Sequence, residues 1–150
     1  MNTGKSRAPE FTTKCPSEEE YCNLRSAAGW GNISMANAKR SLAATAICIC
    51  ARDNHRIVGF GRAVGDGLLY FYVSDVFVHP EQRGTGLGAE ISRRLLLEID
   101  KQALPGATVA VVAAPGRERF YEKIGFTSCP NEFFGGGLVY LKPIRKMISG

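Results

Sequence analysis

The stretch from Leu68 to Leu97 limits what this chain can fold into more than any other part of it. Leu68 to Val78 is an eleven-residue run rich in aromatic and β-branched residues, which reads as a strand. Pro80 ends it, because proline has no N–H to give a sheet ladder. From Ile91 onward the apolar residues fall at Ile91, Leu95 and Ile99, with Leu96 and Leu97 beside them and Arg93, Arg94 and Glu98 turned elsewhere. That spacing is helical. Between strand and helix stand Gly84, Gly86 and Gly88, which let backbone approach a ligand and leave amide N–H groups unpaired at a helix start. Such a turn binds anions readily, with the helix dipole adding to the N–H donors.

A plain tight turn is the simpler alternative, and the phosphate-binding motifs must be compared residue by residue. The dinucleotide fingerprint needs G-x-G-x-x-G, and a P-loop needs Gly-Lys-Ser/Thr; neither spacing is present. What stands here is Arg83-x-x-Gly86-x-Gly88 after a strand ending Val78-His79-Pro80. This resembles the pyrophosphate-binding segment of the GNAT N-acetyltransferase superfamily, Gln/Arg-x-x-Gly-x-Gly/Ala. A second landmark, Phe120-Tyr121-Glu122-Lys123-Ile124-Gly125-Phe126, closely resembles the family's Phe-Tyr-Glu-Lys-x-Gly-Phe segment after the fifth strand. The resemblance covers residues 10 to 142, strongly from 68 to 126.

The rest of the chain fits between these landmarks. Residues 1–8 have no apolar period and read as a mobile tail, leaving 9–150 as one domain. Phe11 to Lys14 is a candidate first strand. Ser17 with Glu20 three residues on is a capping box, and Tyr21, Leu24, Ala27 and Ala28 then recur at helical spacing until Gly29, so the first helix runs from 17 to 28. Met35 to Leu42 is a second, short helix. Ala46 to Arg52 and Arg56 to Val64 form a hairpin about Asp53-Asn54, and Gly65-Asp66-Gly67 turns the chain into the central strand. After the crossover helix from Gly86 to Gln102 come a strand from Thr108 to Ala113, a helix opened by Pro115, and strands at 126–129 and 138–142. The implied class is α/β (α+β): a GNAT fold with a mixed, mostly antiparallel sheet of six to seven strands and flanking helices, splayed between the fourth and fifth strands.

Composition sets outer bounds. The net charge is +5, from 19 basic and 14 acidic residues, but the basic residues are scattered, so nucleic acid is not the expected partner. No apolar run reaches the roughly 20 residues that span a bilayer, and there is no apolar signal core, so a cytoplasmic protein without a membrane partner is expected. The five cysteines are expected as reduced thiols. Cys48 and Cys50 share one strand face without further metal ligands, so no metal is expected.

The resemblance also assigns roles. Acetyl-CoA is the implied cofactor, inserted where the two strands part. Backbone N–H groups of Phe77 and Val78, with Val76 beside them, would bond the pantetheine and thioester oxygen, and the amides of Arg83, Gly84, Thr85, Gly86, Leu87, Gly88 and Ala89, with the positive charge of Arg83, would hold the pyrophosphate. Tyr121 matches the family's usual proton donor to the departing thiolate, and phenol and thiol are close enough in reference pKa for the transfer. Asp75 occupies a position where several relatives carry an acidic or amide residue. Its carboxylate is a candidate for binding an ammonium group or relaying its proton, with a structural bond to the splayed backbone as the alternative. Trp30, Tyr70, Tyr72 and Ser74 are candidate acceptor contacts, the last three expected on the strand face opposite Asp75. That face holds no Glu or His, a departure that leaves the general base unassigned. The expected reaction is acetylation of a primary amine on a small molecule by direct attack in a ternary complex. Peptide or protein acetylation, and a catalytically silent acyl-CoA-binding module, are the alternatives; dimerisation is common in the family, so a homodimer stays open.

Overall fold

The computed structural model describes residues 7–142, so most of the expected tail and the residues after 142 lie outside the described part. The chain divides into two compact units, Met1–Val112 and Ala113–Gly150.

The first unit holds a five-stranded sheet in sequence order: β1 (Glu10–Thr12), β2 (Thr45–Asp53), β3 (Arg56–Gly65), β4 (Tyr70–Val78) and β5 (Thr108–Val111). The first four strands are antiparallel to their neighbours and β5 is parallel to β4. That parallel step needs a crossover, supplied by α3 (Leu87–Gln102), which follows α1 (Glu18–Ala27) and α2 (Met35–Leu42) in the chain. α1 opens as the sequence predicts: Ser17 accepts from the Glu20 amide while the Glu20 carboxylate accepts from the Ser17 amide. β4 starts two residues later than expected because the Asp66 carboxylate accepts from the amides of Leu68, Leu69 and Tyr70 and holds them in a turn.

α3 covers one face of the sheet and α1 and α2 the other. α3 buries Leu87, Ile91, Leu95 and Ile99. It lies so close to β3 that a Cβ on Gly59 would stand 2.6 Å from Ile91 Cδ1, and one on Gly61 2.8 Å from Ile91 Cγ2. Phe60, between them in sequence, points to the other face, where its ring meets Tyr21 of α1 edge-on at 5.8 Å. The core on that side comprises Tyr21, Leu24, Ala38, Leu42, Cys48, Cys50, Ile57, Phe60 and Phe77. The five cysteines form no disulfide in the structure, and the Sγ atoms of Cys15 and Cys48 are 3.2 Å apart.

The second unit contains α4 (Glu118–Lys123). It begins later than Pro115 suggests, because Gly116 has φ +81 and a helix cannot continue through that conformation. The strands expected at 126–129 and 138–142 are not formed, which reduces the sheet from six or seven strands to five among the described residues. A strand exists only with a ladder partner. Pro130 lacks an N–H, three consecutive glycines occupy 135–137, and Leu138 and Tyr140 are almost wholly exposed.

Candidate active site

β5 stops at Val111, opposite Val73. Ser74–Val78 therefore continue beside β3 without β5, which is the opening expected between the fourth and fifth strands. The His79 amide donates to Val58 O at 2.8 Å, so by strand alternation the Phe77 amide also faces β3 while those of Val76 and Val78 face the side β5 has left. The Phe77 N–H, expected from the sequence to be free at this opening, is thus turned to β3, and Val76 takes its place; the fully buried Phe77 ring packs near those of Tyr21, Trp30 and Phe60.

The turn beyond β4 is built from backbone. Pro80–Gln82 forms one 3₁₀ turn, closed by the Arg83 amide donating to Pro80 O. Gly84 and Gly86 follow at φ +76 and +82, the left-handed region that costs other residues most, and the space where a Cβ would stand is open at both. Conformation, not crowding, selects glycine there. Gly86 is the N-cap of α3 and has no side chain to satisfy the helix start. Among the described residues the N–H groups of Gly84, Gly86, Leu87, Gly88 and Ala89 have no protein acceptor, since the first helical bond to leave the turn is Glu90 N–H to Gly86 O. Thr85 caps locally, its hydroxyl donating to Gln82 O at 2.6 Å. Arg83 is exposed. Bare N–H groups at the positive end of a sixteen-residue helix form a donor set suited to a diphosphate.

On the α1–α2 face, the register between β3 and β4 slips between Phe60 and Arg62: Phe60 pairs with Phe77, but Arg62 pairs with Ser74. The extra residue is a bulge at Asp75, whose φ is +54. It overturns one sequence expectation. Asp75 does not face away from Tyr70, Tyr72 and Ser74; the bulge turns its carboxylate to the same face, where Tyr21 Oη donates to Oδ2 at 2.7 Å and Arg62 Nε donates to it at 2.8 Å. Arg25 Nη1 lies 3.8 Å from Oδ1. Burial and then the bond to Asp75 push the Tyr21 hydroxyl above the usual phenol range, keeping it a donor. Trp30, half-exposed just beyond α1, sets its ring 5.4 Å from that of Phe77, and the Arg25 guanidinium stands 5.9 Å from the same ring. Tyr70 and Tyr72 are exposed. Asp75 is thus brought together with Tyr21, Arg25 and Arg62, and Trp30 stands beside Phe77 near by, while Tyr70 and Tyr72 lie on the same face but toward the start of β4.

Of these, Tyr21, Arg25 and Arg62 were not singled out from sequence. Arg62 had a signal: like Asp75, it is a lone charge inside an apolar strand, and two such interruptions of opposite sign suggest a pair. Tyr121 belongs to the second unit, in α4, half-buried with its ring edge-on to Phe120 at 5.0 Å and to Phe126 at 5.7 Å. No group of ligands able to hold a metal occurs among the described residues, and no helix there is long and apolar enough to cross a membrane.

Comparison with known proteins gives consistent results. Residues 17–143 match the family model described as acetyltransferase (GNAT) domain. An uncharacterized N-acetyltransferase of Pyropia yezoensis is 29% identical over 117 residues, covering 75% of this chain; the chain spans only 64% of that protein's length. Among solved structures, a probable acetyltransferase of unknown function from Staphylococcus aureus superimposes with a TM-score of 0.79 at 26% identity, over 90% of this chain and 99% of that one. A GNAT family N-acetyltransferase of Escherichia coli, solved in complex with CoA, superimposes with a TM-score of 0.61 at 18% identity, over 85% of this chain and 73% of that one.

Proposed function

The chain belongs to the GNAT acetyltransferase family, and on that premise we propose that it transfers an acetyl group from acetyl-CoA to a primary amine of a small molecule, by direct attack within a ternary complex. The observation that carries this reading is the row of unpartnered amides from Gly84 to Ala89 at the start of α3, beside the open edge of β4. These residues fit the cofactor: their donors suit a pyrophosphate, and Arg83 adds a positive charge beside them.

Bound acetyl-CoA would supply an activated thioester carbonyl. The chain's own part begins with backbone. The outward N–H groups of Val76 and Val78 would orient the pantetheine arm and polarise the carbonyl oxygen. Tyr121 is the residue we assign to give a proton to the departing sulfur from its hydroxyl, on its match to the family motif. Trp30, Tyr70, Tyr72 and Ser74 would contact the acceptor, and exposed aromatic rings suit an amine carried on an apolar or aromatic body. No cysteine lies in either motif, which favours direct attack over an acyl-cysteine intermediate.

The experiment has two stages. Calorimetric titration with CoA tests the site, and thiol release from acetyl-CoA with a panel of small amines tests the reaction. Micromolar binding with amine-dependent thiol release is the expected result. Binding without turnover on any small amine, together with acetylation of peptides, would replace the small-molecule reading, and no binding at millimolar CoA would end the acetyl-transfer reading.

A further inference from the structure

The acetyl-transfer reading leaves the buried polar cluster behind β4 without a task, and the present inference rests on that reading. Asp75 sits at φ +54, a strained backbone that persists only where its surroundings over-determine it. The surroundings here are specific. Oδ2 accepts from both Tyr21 and Arg62, and Oδ1 faces Arg25. Arg62 is only 7% exposed and is itself fixed on all sides: Nη1 donates to Ser41 O at 2.9 Å and Thr45 Oγ1 at 3.2 Å, and Nη2 donates to Ser41 Oγ at 2.8 Å. One carboxylate thereby ties the β4 bulge to α1, the end of α2, the start of β2, and β3.

The same contacts argue against proton transfer by Asp75. A general base must become neutral as it takes the proton. Here Oδ2 already accepts from Tyr21 and Arg62 while Oδ1 faces Arg25, so a proton on this carboxylate would strip two arginines of their counter-charge. The bulge has a consequence of its own: by adding one residue it brings the amides of Val76 and Val78 to the side where β5 has ended, instead of those of Asp75 and Phe77.

We propose that Asp75, Arg62 and Tyr21 are positioning residues, which lock the β4 bulge so that the Val76 and Val78 amides face the cofactor, and that Asp75 neither takes the proton of the acceptor amine nor binds its charge. The test uses the full chain as Asp75→Asn and Tyr21→Phe, with three readouts: KM for acetyl-CoA, the pH profile of kcat, and hydrogen exchange at the Phe77 and His79 amides relative to those of β2. Losing a hydrogen bond to a charged group raises KM for acetyl-CoA about tenfold in Asp75→Asn, and less in Tyr21→Phe. The acid limb of the kcat profile keeps its wild-type position in both, and the Phe77 and His79 amides exchange faster while β2 does not. An Asp75→Asn protein with unchanged KM and a vanished acid limb would make Asp75 the base and overturn the proposal. So would exchange that rises equally in β2 and β4, or in neither. If Asp75→Asn fails to fold, Tyr21→Phe, which keeps its ring against Phe60 and Phe77, decides by the same readouts. A wild-type chain that does not bind CoA would sink the acetyl-transfer reading instead, and hydrogen exchange would still decide whether the cluster holds the bulge.

Discussion

Gly86→Ala separates the cofactor turn from ordinary backbone strain. Gly86 has φ +82, where an alanine costs about 1–2 kcal/mol, and the space around its missing Cβ is open, so no clash adds to that figure. Spread over a chain of this size, the loss lowers Tm by about 2–8 °C. Gly106, just past α3, has φ +86 and equally open surroundings, so Gly106→Ala carries the same backbone cost and serves as the control. The two differ in what their amides face. An alanine at 86 relieves its strain by rotating the peptide planes on either side, which swings the Gly86 and Leu87 N–H groups away from the axis of α3. Each donor to a phosphate oxygen contributes about 1.5–3 kcal/mol, so losing one weakens CoA about tenfold to a hundredfold. Calorimetric titration of both variants, with Tm measured alongside, is the assay. Equal loss of CoA affinity in the two, or full affinity in Gly86→Ala, would refute the assignment of the diphosphate to this turn.

Two further outcomes follow from the charges. Arg62→Met leaves the Asp75 carboxylate, 12% exposed, without its principal counter-ion and costs about 3–5 kcal/mol in urea unfolding; adding Asp75→Asn recovers part of that loss, and a strictly additive double variant would show that the pair is not coupled. Glu20 is held down from 4.5 to about 2, chiefly by its hydrogen bond to Arg52 and also by the Ser17 amide. A carboxyl depressed by folding contributes stability that is complete above the unfolded value and is lost as pH falls toward the folded one, so Tm should drop between pH 5 and 2. Glu20→Gln flattens that part of the profile, an effect kept small by solvent screening; an unchanged slope in thermal scans across that range would contradict the assignment.

What could be read from the residues was what the chain decides locally. The turn from Val78 to Gly88 is fixed by proline, by two glycines at positive φ and by a helix that starts without a capping side chain, all within one stretch of sequence. The same holds for the Ser17–Glu20 capping box. Strand formation is different, because a ladder needs a partner that sequence does not name. Residues 138–142 carry the apolar residues of a strand and yet form none. Asp75 shows this most clearly. Counting by twos along Tyr70, Tyr72 and Ser74 puts it on the far face, and that count holds only if β3 and β4 stay in register. The slip opposite Gly61 breaks the count by one residue. Gly61 has no side chain because α3 lies against it, so the shape of the crossover helix, the glycine in β3 and the face reached by Asp75 are one connected constraint. A larger residue at 61 would have to push Ile91 away. Gly61→Val should therefore weaken CoA in calorimetric titration by acting from the α3 face of the sheet, away from the Asp75 side chain, since α3 carries the diphosphate turn at its start and packs on the strand that sets the bulge; unchanged affinity would break the link.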